Sequence, residues 1–119
     1  MTAQPPTRQS PIFARTYDLL QWLLPHTNSW PRHYRFTLTH ELVRAALRFQ
    51  ERILEATLSG EATKRLAQAE VELAKVRLYL RLGYDLKLIA PGQYAHVSEL
   101  IGHVGRLLGA WRAKGDATP

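Results

Sequence analysis

The chain has 119 residues, enough for one domain that buries a core without covalent staples. It has no Cys, which excludes disulfides and thiolate metal sites and suits a reducing cytoplasm, the location expected for it. Against 10 Asp and Glu stand 16 Lys and Arg, and the formal charge of +6 favours a polyanionic partner over a membrane, since no apolar run approaches the roughly 18 residues of a span.

Residues 1–10 carry Pro5 and Pro6, lack the apolar segment of a signal peptide, and read as a disordered leader. Residues 11–114 read as the folded domain and 115–119 as a flexible tail. Ser10-Pro11 is a good helix start, with Ser at the N-cap and Pro at the first helical position. The first helix carries Ile12, Phe13, Tyr17, Leu19, Leu20, Trp22, Leu23 and Leu24, and Pro25 predicts a kink or an end. Asn28-Ser29-Trp30-Pro31 is a turn in either case.

The second helix starts between Pro31 and Thr37 and runs to about Leu58. Leu38, Leu42, Ala45, Ala46, Phe49, Ile53 and Ala56 repeat at helical spacing and form its core stripe. Val43, Leu47, Leu54 and Leu58 widen that stripe beyond the needs of one neighbour, which predicts a central strut with apolar surface left for association. Ser59-Gly60 ends it, because Gly accepts the left-handed conformation of a helix C-terminus. A third helix is expected over 61–89, with Leu66, Ala69, Leu73, Val76, Leu80 and Gly83 at spacings of three and four. Ala90-Pro91-Gly92 is expected to stop it. The fourth, from about Gly92 to Lys114, has Tyr94, Val97, Leu100, Ile101, Val104, Leu107, Leu108 and Trp111 as its apolar side. Four amphipathic helices with short connections predict an all-α, antiparallel up-down-up-down four-helix bundle.

Chemistry is thin along this chain. It has no Gly-rich phosphate loop, nucleophile elbow or His-Glu-x-x-His pattern, so no enzyme and no cofactor are expected. His96, Glu99 and His103 share a helical face, but the two histidines lie about two turns, roughly 10 Å, apart, too far to ligate one ion together. A satisfied polar face is the plainer account, and no metal is expected. The cations say more. Arg44, Arg48 and Arg52 form a ridge along the second helix, where Glu41, Glu51 and Glu55 are close enough to make ordinary intrahelical pairs. Arg77 and Arg81 on the third helix have fewer acidic neighbours, with Lys75 on a neighbouring face and Arg32 and Arg35 near the first turn. The guanidinium fork suits phosphate or carboxylate. The run Trp30-Pro31-Arg32-His33-Tyr34-Arg35-Phe36 reads either as a recognition patch or as a hydrophobic cap on the bundle end.

Several of these residues also carry a resemblance. Tyr17-Asp18-Leu19-Leu20, Trp22-Leu23-Leu24-Pro25, Pro31, Arg35-Phe36-Thr37-Leu38, Leu78-Tyr79-Leu80-Arg81-Leu82, Tyr94 and Gly105-Arg106-Leu107-Leu108-Gly109-Ala110-Trp111 resemble the Avd family. These are the accessory variability determinants of bacterial diversity-generating retroelements. Ala110 departs from the family pattern, which often has Gly before Trp, but a small residue is kept. The resemblance implies a non-catalytic bundle that assembles as a barrel-shaped homopentamer. It further implies binding of the retroelement's reverse transcriptase, together with template RNA and cDNA, in mutagenic cDNA synthesis. On that reading the binding residues are Arg77, Arg81, Lys75, Arg44, Arg48, Arg52, Arg32 and Arg35. The chain also looks like the proteins encoded in ribosomal-RNA intervening sequences, which leaves a stand-alone basic nucleic-acid-binding bundle as the alternative.

Overall fold

The computed structural model describes residues 10–114. It consists of α1 (Pro11–Asn28), a 3-10 turn at Arg32–Tyr34, α2 (Leu38–Leu58), α3 (Ala62–Asp85) and α4 (Pro91–Ala113). α2 and α3 pack most extensively, α1 lies against α4 and α2, and α3 against α4. Neighbours in sequence are therefore neighbours in space, and the short connections make successive helices antiparallel. This is the four-helix bundle that the periodicity predicts. The expected tail and all of the expected leader except Ser10 lie outside the described residues.

The core follows the predicted stripes. Leu19 and Leu23 of α1, Leu42, Phe49 and Ile53 of α2, Leu66, Leu73, Val76 and Leu80 of α3, and Val97, Val104 and Leu108 of α4 are all fully buried. Burial of each large side chain contributes about 1.5–3 kcal/mol, which is what holds the helices in register. Among the described residues no helix is long and apolar enough to cross a membrane.

Two boundaries differ from expectation, and at Pro25 the helix continues rather than ends, each for a local reason. α1 runs through Pro25 to Asn28. The backbone bond lost at Gln21 is close to the helix end, and the last turn is held by other means. The Thr27 hydroxyl donates to the Leu23 carbonyl at 2.8 Å, and the His26 ring stacks on Trp22 at 4.3 Å between centroids. α2 starts at Leu38, one residue beyond the expected window, because the segment before it is taken up by the 3-10 turn. α3 ends at Asp85 rather than Ile89. Lys87 adopts φ 65°, its N–H donates to the Tyr84 carbonyl at 2.9 Å, and the Leu88 N–H donates to the Gly83 carbonyl at 2.9 Å. That pair of bonds is a Schellman motif, with Lys where Gly is usual. Pro91 then opens α4, and the Ala90 N–H is satisfied by the Gln93 side chain at 3.0 Å. At the start of α1, Ser10 holds the N-cap position but its side chain makes no capping hydrogen bond.

Candidate functional site

The eight cations singled out in the sequence fall into three groups. Arg44, Arg48 and Arg52 lie four residues apart along α2. Arg52 donates to Glu55 at 2.9 Å, and Arg65 of α3 reaches the same carboxylate at 3.7 Å and Glu61 at 3.2 Å. The expected pairs with Glu41 and Glu51 do not form, and Arg44 and Arg48 carry no ion pair among the described residues. Lys75, on α3, lies 3.6 Å from Glu72 of the preceding turn. Glu72 is buried, and its Oε1 has no hydrogen bond, so a nearby ammonium is what offsets its desolvation.

Arg77 and Arg81 occupy the opposite edge of α3, toward α4, and the two differ. The Arg81 Nε lies 3.0 and 3.2 Å from the two oxygens of Asp85, and this hydrogen bond and charge raise its pKa further above the usual arginine value. Arg77 makes no ion pair among the described residues. Its guanidinium instead rests against the α4 backbone at Gly105, in the space a side chain there would fill. Arg112 of α4 crosses back to Glu70 of α3 at 3.2 Å. Arg106, outside the sequence-derived set, has its Nη1 3.4 Å from where a Cβ on Gly102 would sit. The signal was the small-residue spacing Gly102, Gly105 and Gly109, which leaves arginines room to lie along the helix.

Arg32 and Arg35 form the third group, at the end of the bundle where the α1–α2 connection meets the α3–α4 turn. Trp30 of this connection is buried, its Cη2 only 2.9 Å from where a Cβ on Gly83 would sit. The missing side chain at Gly83 is what lets the ring approach the α3 backbone. His26, between Trp22 and Trp30, has its pKa lowered by burial, partly offset by the Leu88 carbonyl. The 30–36 run thus divides. Trp30 is a hydrophobic cap, whereas Arg32, Arg35 and Phe36 are exposed.

Two surfaces went unseen in the sequence. On α3, Val71, Leu78 and Leu82 line the face opposite the core, with Leu78 63% exposed. Their i, i+7, i+11 spacing was legible but overlapped the core pattern. Together with exposed Leu47, Leu54 and Leu58 of α2, they leave both central helices with apolar surface that the described residues do not cover. Along α1 and α4 runs an open groove of about 590 Å³, lined by Arg15, His96, Glu99, His103 and Arg106 among others. Arg15 is engaged by Asp18 at 3.4 Å, and among the described residues no three His, Asp or Glu side chains converge enough to hold a metal ion.

The family model described as bAvd-like matches residues 12–115. No curated protein matches the chain. The match spans the whole bundle, and the chain belongs to the bAvd-like family.

Proposed function

We propose that this member of the bAvd-like family is a non-catalytic accessory of a diversity-generating retroelement, binding the reverse transcriptase with its template RNA and cDNA as an oligomer. The observation that carries the reading is the family match over the full bundle, together with arginines held on the surface without carboxylates. Arg44, Arg48 and Arg77 keep their donors available for phosphate or for acidic groups of the polymerase. Uncovered leucines on α2 and α3 supply the apolar surface that subunit association requires, and the barrel-shaped homopentamer is the arrangement that fits the family resemblance.

The test is co-purification with the reverse transcriptase encoded beside this gene, at moderate and at high salt. A complex is expected at moderate salt, and its loss at high salt would assign the contact to the arginine edges. Absence of a complex at both salts would overturn the accessory role and leave a stand-alone nucleic-acid-binding bundle. A companion variant, Arg77→Glu with Arg81→Glu, is expected to weaken the complex while leaving helix content unchanged. Full retention of binding would remove these two residues from the interface.

A further inference from the structure

One end of the bundle carries features that the fold itself does not need. Phe36, between the 3-10 turn and α2, is 83% exposed, while Trp30 in the same connection is 7% exposed and packs on Gly83. Removing Trp30 would open the bundle end, whereas Phe36 supports nothing beneath it. Arg32 and Arg35 lie beside it, exposed and without ion pairs among the described residues. The chain holds no Asp or Glu between Asp18 and Glu41, so this connection has no carboxylate of its own.

The α3–α4 turn lies at the same end, because Trp30 and Ile89 both reach the backbone at Gly83 and His26 approaches Leu88. This turn presents Lys87, exposed, free of ion pairs and held at φ 65°. A left-handed residue with a side chain is disfavoured relative to glycine, so the ammonium stands here against local preference. Asp85, the nearest acid in this turn, is occupied by Arg81.

We propose that this end of the bundle binds single-stranded nucleic acid, with an unpaired base stacked on Phe36 and adjoining phosphates held by Arg32, Arg35 and Lys87. The inference rests on the reading above that the protein handles RNA or cDNA, and it names the strand state and the residues. A base inside a duplex has both faces covered by its neighbours. Only an unpaired base can offer a face to an exposed ring, and stacking of this kind tolerates any base. The cations around the ring carry no sequence information and fix the backbone by charge.

The full-length protein is titrated with a labelled oligouridylate and, separately, with a fully paired RNA duplex of equal length. Phe36→Ala is expected to weaken oligouridylate binding about tenfold and to leave duplex binding unchanged. Phe36→Tyr should restore the single-strand affinity. Replacing Arg32 and Arg35 with Ala should weaken both ligands and flatten the salt dependence. Helix content by circular dichroism is expected to stay constant, since the Phe36 ring is exposed. Wild-type affinity in Phe36→Ala overturns the proposal. So does loss of polymerase co-purification with oligouridylate binding intact, which would make Phe36 a protein contact. Equal, Phe36-independent binding of both RNAs overturns it while sparing the broader nucleic-acid reading. Failure of the wild type to bind either RNA overturns it and the RNA part of that reading, while polymerase co-purification decides the rest.

Discussion

Each end of the bundle turns the chain through one left-handed residue, and the two ends fill that position differently. Between α2 and α3 it is Gly60, with φ 76° and nothing within 4 Å of where its Cβ would be. Between α3 and α4 it is Lys87, with φ 65°. The first turn obeys local preference, and Arg65 bridges it through Glu55 and Glu61. The second departs from local preference, and it lies where Phe36, Arg32 and Arg35 are exposed without partners. Local and global demands agree at the first end and conflict at the second, and conflicts of this kind are expected at functional or strained sites.

The largest effect that sharpens this contrast lies within the unusual end. Trp30→Ala is expected to cost about 3–5 kcal/mol, because the buried ring fills the space above Gly83. Phe36→Ala, in the same connection, should stay within about 0.5 kcal/mol. Urea denaturation of both variants, followed by circular dichroism, checks this. A comparable loss in the two would show that Phe36 is part of the cap and would blur the distinction between them.

The next pair compares the ends directly. Gly60→Ala should destabilise by about 1 kcal/mol, because a side chain is forced into left-handed geometry. Lys87→Gly should stabilise by about the same amount, and it should weaken nucleic-acid binding. A Lys87→Gly protein no more stable than the wild type would mean that the lysine stem has packing contacts that offset the backbone cost.

A smaller effect is set by pH. Burial lowers the His26 pKa below its usual 6.5, so the folded state resists a proton that the unfolded chain accepts. Stability is therefore full above pH 6.5 and falls as pH drops through that value toward the folded pKa. The urea midpoint should decline between about pH 7 and pH 5, and His26→Phe, which keeps a ring against Trp22, should flatten that slope. An unchanged slope would place the titrating group elsewhere.

How much of this was readable in the residues depends on the range of the forces involved. The α2 core set, from Leu38 to Ala56, was legible because helical spacing alone dictates it, and Gly60 because the turn chemistry is local. The end of α3 at Asp85 was not, since no glycine or proline marks it and the Schellman bonds form around a lysine. The opposite fates of Trp30 and Phe36 were also hidden, because they are decided by Gly83, distant in sequence. The arginines were visible as a set, but their division into engaged and free required the third dimension. Arg77 rests on Gly105 of another helix, and the expected Glu41 and Glu51 pairs do not form.

The smallest predicted effect tests that division. Arg81 and Asp85 form an exposed pair, one turn apart on α3, and such pairs add little to stability because water screens them. Asp85→Asn should leave the unfolding midpoint where it was. It should also release Arg81 and remove a negative charge from the edge of α3 that faces α4. If Arg81 belongs to the nucleic-acid surface together with Arg77, affinity for RNA should rise modestly, on the order of twofold, at low salt, and the gain should vanish at high salt. An affinity that stays constant at both salts would leave Arg77, seated on Gly105, as the functional member of the pair, with Arg81 serving the end of its own helix.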